Sequence, residues 1–317
     1  MQAGHPYVWY VMTPIYAFAW DYDAAGNRIY QKRGNQETYY TYDAGNALIQ
    51  KHEPGTGYSY YQYDSRGNCT LIQEPDGNVY FTYNHANLVT SIHHKTGAFN
   101  YFYYDSQLHR YAIEDSNGLA YFTWDSNGLN LLAEKDASGN TTAQYTHGYT
   151  PIQGIGSLVE AKKEIDSCTY QYPIYDNRGT VVKLVDENAQ TIEKYHYNAW
   201  GFPFQYDDKA RNRFGWQSNW IQLPISNAEL LLSPTRIYSA KDGIFLQRDM
   251  LGFRDGLNLY EGFANIPVNS IDVYGFQTTD EALWFYAERE KTMEKIRKYE
   301  EEREKKYYSV LDRYSVY

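Results

Sequence analysis

A tyrosine–aspartate dipeptide returns every 20 or 21 residues through the first part of the chain. It stands at Tyr22-Asp23, Tyr42-Asp43, Tyr63-Asp64 and Tyr104-Asp105, with Tyr83-Asn84 and Trp124-Asp125 as close variants. A weaker copy continues at Tyr145, and after an irregular stretch the pattern resumes at Tyr175-Asp176 and Tyr197-Asn198. A fixed period of this length marks an array of one small unit that buries its apolar face only against its neighbours. Two residues before the tyrosine there is an aromatic: Trp20, Tyr40, Tyr61, Phe81, Phe102, Phe122 or Tyr195. Side chains two apart on a strand share a face, so both rings of each unit lie on one side of a sheet. About four residues after the tyrosine comes Gly26, Gly67, Gly128, Gly179 or Gly201, with Asn87 once. Glycine and asparagine accept positive φ, so Asp-x-x-Gly reads as a tight turn between two strands. The spacing therefore predicts a continuous antiparallel ribbon of hairpins, mainly β, whose turn aspartates bond local backbone amides.

Composition supports that reading. The chain of 317 residues has 36 tyrosines and a mean hydropathy of −0.70, which describes a polar, aromatic β protein rather than a disordered one. A formal charge of −10 argues against a nucleic-acid or anionic-membrane surface. Cys69 and Cys168 are too few for a disulfide framework and match no metal-ligand spacing, so both are expected to be free, buried thiols. The first residues, MQAGHPYVWYVMTPIYAFAWDYD, are aromatic but carry no basic leader, and Pro6 and Pro14 interrupt them. They suit neither a signal peptide nor a membrane span; residues 1–16 read as a lead-in, and the chain as the tail end of a longer protein. No P-loop, dinucleotide fingerprint, HExxH or GxSxG is present, so no cofactor and no external substrate are expected.

The repeat ends near residue 205, and residues 206–276 read as a second region. Between Phe204 and Pro234 lie Trp216, Trp220 and the apolar run Ala228–Leu232. Beyond it stand two further acidic turns, Asp249-Met-Leu-Gly252 and Asp272-Val-Tyr-Gly275, set 23 residues apart, with Arg236 placed 13 residues before the first. Hydrolysis of a peptide by two aspartates needs one ionised to activate water and one neutral to donate to the carbonyl. Two carboxylates close together cannot both ionise cheaply, and an arginine can orient or hold one of them. These residue types suit that chemistry, whereas either turn alone would be structural.

The 20-residue units, over about residues 17–205, resemble the YD repeat. The stretch Arg236–Phe276 resembles the Rhs-associated core of bacterial Rhs proteins and of the C component of insecticidal toxin complexes. The resemblance implies a spiralling antiparallel sheet that forms part of a hollow β-shell, closed at one end by a core domain. It further implies self-cleavage by Arg236, Asp249 and Asp272 at the Phe276–Gln277 bond. The family usually places proline after each aspartate, where this chain has Met250 and Val273. Thr146–Glu164 interrupts the period and is expected to be a longer loop.

Residues 277–317 change character. From Thr279 to Lys306 there is no Gly or Pro, and Glu294–Lys298, Glu301–Lys305 and Glu302–Lys306 are i,i+4 pairs in the favourable order. One helix is expected over 279–306. In the family this segment is variable cargo, so the function implied is encapsulation of a C-terminal effector, released by autoproteolysis in competition between bacteria. The expected partners are other shell segments or a secretion-system component, and the compartment is left open between bacterial cytoplasm, cell surface and secreted. The alternative class is a tyrosine-rich adhesion module that stacks its rings on carbohydrate and has no catalytic activity.

Overall fold

The computed structural model describes residues 11–12, 17–125, 130–148, 158–163, 169–205, 212–217, 221–222, 230–253, 256–268, 270–272 and 275. These all belong to the first of two compact units, residues 1–277. The chain is mainly β, as the repeat predicts. Eighteen strands, from Val11–Met12 to Thr191–Lys194, form one antiparallel sheet in which each strand pairs with its neighbours in sequence. Among the described residues no pairing joins the last strand to the first. The expected helix at 279–306, the lead-in residues 1–10 and Cys168 lie outside the described residues. Cys69 is buried and free, and burial pushes its thiol up. Among the described residues no helix is long and apolar enough to cross a membrane.

The aromatic pairs share one face. Tyr40, Tyr61, Phe81, Phe102 and Phe122 are buried in a single cluster, and Tyr42, Tyr63, Tyr83, Tyr104 and Trp124 pack against it. The tyrosines one residue earlier, at 39, 60, 80, 101 and 121, are exposed on the other face. Several residues at the repeat-tyrosine position also have a polar task. The hydroxyls of Tyr42, Tyr63 and Tyr83 donate to the carbonyls of Arg28, Leu48 and Cys69 at 2.9, 3.0 and 2.7 Å, and the Trp124 indole donates to Arg110 O. Each accepting carbonyl lies just past the preceding turn, before the register with the next strand begins. Tyr63→Phe is therefore expected to lower the unfolding free energy by about 1–3 kcal/mol, the cost of an unsatisfied buried carbonyl. Denaturant titration measures this, and wild-type stability would mean that water reaches Leu48 O.

The turn aspartates behave as local acceptors. Oδ1 of Asp23, Asp43, Asp64 and Asp176 each accepts the amides two and four residues ahead.

A β-bulge beside each turn shapes the returning strand. Thr41 faces Gln50 but Tyr42 faces Leu48, so Ile49 is extra and points outward. The same shift recurs at Gln62/Tyr63, Thr82/Tyr83 and Thr123/Trp124. The bulge changes the spacing of inward residues on the returning strands from two to three. Cys69 and Ile72, Val89 and Ile92, Leu158 and Ala161, and Val181 and Leu184 are such buried pairs. Arg28, Lys51, Arg110 and Glu134 occupy equivalent buried positions with charge.

Two expectations need correction. Tyr145 takes the place of the inner aromatic rather than of the repeat tyrosine, and His147, whose Nε2 bonds Leu131 O at 2.7 Å, takes the latter. The expected loop Thr146–Glu164 contains a regular strand, Leu158–Lys163, paired on both sides. Its inward residues, Leu158, Ala161 and Lys163, follow the bulged spacing, which period-two reading cannot detect.

Candidate functional site

After the last long strand come short ones, several of them largely buried. Leu230–Leu232, Ile237–Ser239 and Ile244–Phe245 pair in order within a four-stranded sheet. Their continuous apolar character fits strands covered on both faces. Phe214, Leu232, Ile237, Ile244 and Leu246 join the main aromatic cluster, so this region packs on the inner face of the large sheet. A second cluster unites Phe18 and Trp20 of the first repeat with Ala199 and Trp200 of the last turn, through Trp216, Tyr238, Phe245 and Phe263.

Charged inward residues of the large sheet are the fasteners. Lys51 Nζ meets Asp242 Oδ1 at 3.1 Å, and Tyr61 OH and Ser239 Oγ donate to Asp242 Oδ2. Glu134 receives Nε and Nη2 of Arg213 at 3.2 and 3.0 Å, together with the Tyr145 hydroxyl. Arg110 donates to Ser233 O, and Arg28 lies 4.4 Å over the Trp200 ring.

Arg236 ends a tight turn. Ser233 N donates to Arg236 O at 3.0 Å, while Arg236 N donates to Ser233 Oγ at 2.8 Å. Strand Ile237–Ser239 starts at once, which fixes the direction of the arginine side chain. Its guanidinium lies against the Phe245 ring, 3.5 Å from the centroid. From there Nη2 meets Asp249 Oδ2 at 3.0 Å and Asp272 Oδ2 at 3.9 Å. Arg236, Asp249 and Asp272 are 2%, 8% and 3% exposed. Three residues, the first and last 36 apart in sequence, thus lie together and buried.

Both carboxylates are aimed by their turns. Asp249 Oδ1 accepts Leu251 N at 2.8 Å, and Gly252, with φ of 68°, closes the turn on Asp249 O. Asp272 Oδ1 accepts Gly275 N at 2.8 Å, and Gly275 has φ of 77°. A repeat aspartate such as Asp43 places Oδ1 on two amides, whereas Asp249 uses one and turns Oδ2 to the arginine. That difference sets Asp249 apart from the repeat aspartates, and the sequence does not reveal it.

The arginine also grips the backbone. Its Nε donates to Gly275 O and its Nη1 to Leu259 O, the same carbonyl that accepts Asp249 N. Gly275 is the residue before Phe276, so one side chain links both carboxylates to the approach of the expected scissile bond. Phe276 and Gln277 themselves lie outside the described residues.

The loop between the aspartates is laid along the repeat turns. Asn258 Nδ2 bonds Asn27 Oδ1, Asn265 Nδ2 bonds Gly26 O, Asn46 Nδ2 bonds Leu257 O, and Tyr260 OH bonds Gly67 O, at 2.8, 2.7, 3.2 and 2.9 Å. Gln247 continues the series on Asn87 O. Within this loop Phe263, Ala264 and Asn265 are all left-handed, with φ of 58°, 49° and 56°. Each such residue costs roughly 1–2 kcal/mol. Packing of Phe263 against Trp216 and Tyr238, with centroids at 4.9 and 5.4 Å, offsets that cost.

Fold and site together define a mainly β repeat protein whose core holds an arginine-bridged aspartate pair. No family model matches the chain. Over 161 residues, 48% of its length, it is 31% identical to the tRNA nuclease WapA of Bacillus subtilis strain 168, and 30% identical to the tRNA3(Ser)-specific nuclease WapA of Bacillus spizizenii. The alignment spans 6% of each relative, and the nuclease activity is named for those whole proteins. Among solved structures, those of TcdB2-TccC3-TEV and TcdB2-TccC3-Cdc42 are similar at 18% identity and a TM-score of 0.47. They cover 83% and 86% of this chain, which spans 17% of each of theirs.

Proposed function

We propose that this chain is the shell-wall and core segment of an Rhs-type protein, and that it cuts itself between Phe276 and Gln277 to release residues 277–317. In this reading residues 17–205 are the YD-repeat wall and 206–276 the Rhs-associated core. The observation that carries it is the Arg236 guanidinium, buried against both Asp249 and Asp272 and bonded to Gly275 O. The ionised carboxylate activates water, the neutral one donates its proton to the carbonyl, and Arg236 holds the ionised member beside its partner. The segment beyond the cut is the effector that the wall and core present for delivery between bacteria, a reading supported by the partial likeness to the WapA nucleases. Further shell segments complete the enclosure.

Intact mass under denaturing conditions tests the reading. Wild type is expected as two pieces, the smaller of 41 residues. Asp249→Asn and Asp272→Asn are each expected to leave the chain whole, because either removes the asymmetry of protonation that hydrolysis needs. A wild-type chain that stays at full mass through folding and storage sinks the proposal.

A second reading rests on the outward face. Tyr30, Tyr39, His52, Tyr58 and Tyr60 form a ladder of neighbouring rings there, with His52 and Tyr58 stacked at 4.2 Å. Such a row suits sugar faces, and saturable glycan binding lost in Tyr39→Ala would favour it.

A further inference from the structure

Asp249 and Asp272 are held from different parts of the repeat array. The loop that follows Asp249 is tied to the early turns at Gly26, Asn27, Asn46 and Gly67. Asp272 is reached from a late turn instead, through the short segment Gly215–Gln217. Val181 N donates to Gly215 O at 2.9 Å, and Gln217 N donates to Thr180 Oγ1 at 3.1 Å, just past the turn at Asp176. Between these two anchors Trp216 is fully buried and lies over Gly201 of the last turn, where a Cβ would come within 2.6 Å of its ring. The Gln217 side chain then spans the remaining gap. Its Nε2 donates to Ser270 O at 3.1 Å and its Oε1 accepts Asp272 N at 3.3 Å.

Gln217 is an unusual residue for so central a place. It is buried at 2% exposure and has φ of 53°, in the left-handed region that favours glycine or asparagine. Local strain of this kind persists only when surrounding bonds over-determine it. Here those bonds all lead from the repeat wall to the backbone of one carboxylate.

We propose that Gln217 is the positioning residue for Asp272 and that, through Thr180, it makes self-cleavage conditional on the late repeats being seated on the core. The proposal rests on the self-cleavage reading above. Early turns place Asp249, the late turn places Asp272, and Arg236 bridges the two only when both ends of the sheet are docked. Cutting thereby reports that the wall has folded, so an effector segment is not freed from an incomplete shell.

The test uses the full chain refolded from denaturant, with two readouts. The first is the rate constant of cutting per folded molecule, followed by denaturing mass spectrometry across pH. Gln217→Met keeps the length and removes both side-chain bonds, and it is expected to slow cutting about 100-fold, the effect of an ångström-scale misplacement. Thr180→Val, which leaves Gln217 intact, is expected to slow it about tenfold, the weight of one buried hydrogen bond. A merely structural role would lower the folded fraction but leave the rate per folded molecule and its pH profile as in wild type, and that result overturns the proposal. The second readout is amide exchange over Ser270–Gly275, which does not require cutting. Both variants are expected to lose protection there while Asp249–Leu259 stays protected. If wild type is never cut, the self-cleavage reading fails, and exchange still decides whether Thr180 and Gln217 hold Asp272. Unchanged protection in both variants overturns the tether.

Discussion

Lys51→Met is expected to destabilise the protein by about 3–5 kcal/mol, because it strands the buried Asp242 carboxylate without its cation. Lys51 and Asp242 are 191 residues apart in sequence and fully enclosed, so their ion pair, 3.1 Å long, fastens the core hairpin to the large sheet. Tyr61 and Ser239 stay on Asp242 in the variant but supply no charge. Replacing both partners, as Lys51→Met with Asp242→Leu, is expected to recover most of the loss, since two apolar side chains remove the desolvation problem together. Urea titration of the two variants measures the contrast. Equal stability of the single and double variants would mean that the pair contributes shape and not charge.

The same fasteners set the response to pH. Burial would raise the carboxyl of Asp242, but Lys51, Lys241 and the Ser239 hydroxyl outweigh it and hold the group below its ordinary range. Glu134, likewise buried, is brought down to about 2 by Arg213 and Lys163. A carboxyl lowered in the folded state stabilises above its unfolded value, and that stability drains away as pH falls through the folded one. Acid is therefore expected to weaken the hold of the core on the sheet from about pH 4.5 down to 2. At the other end Lys51 is raised by Asp242 against the effect of burial, so its contribution is lost only above the ordinary lysine range. Fluorescence of the core tryptophans Trp200 and Trp216 across pH follows the acid limb, and a Glu134→Gln variant is expected to flatten it.

Gly275→Ala is expected to stop cutting, by a factor of at least about 100. The residue has φ of 77°, and an added Cβ would lie 2.7 Å from Ser233 Cβ and 3.0 Å from Thr235 Oγ1, with Ser233 Oγ nearer still. The carbonyl gripped by Arg236 Nε and the amide held by Asp272 would both have to move. Gly252→Ala is the matched control. It shares a positive φ, 68°, but meets nothing within 4 Å, so only the backbone cost of about 1–2 kcal/mol applies. Denaturing mass spectrometry distinguishes the two; equal cutting in Gly275→Ala and wild type would show that the Arg236–Gly275 contact is incidental.

The hairpin array was legible in the sequence because it is local. A strand of period two, an Asp-x-x-Gly turn and a repeat of 20 residues need only neighbours to form, and Tyr40, Tyr61 and Phe81 lie where their spacing put them. Arg236, Asp249 and Asp272 could also be singled out, since their types and spacing are written in one short stretch, but that their side chains meet is a finding of the structure. The sequence alone could not show why the repeat carries tyrosine, whose hydroxyl partner lies 14 or 15 residues back across a strand. It also hid the bulged spacing, which puts Lys51 and Glu134 inside and makes His147, not Tyr145, the repeat residue. Charged residues three after an inward apolar one, as in Leu48-Ile-Gln-Lys51 and Leu131-Leu-Ala-Glu134, were the available signal. Only the tertiary structure decided which charges meet across 79 or 191 residues, and that Gln217 stands behind Asp272. Such contacts are set by how the core seats on the completed sheet, and no local pattern in the chain encodes that placement.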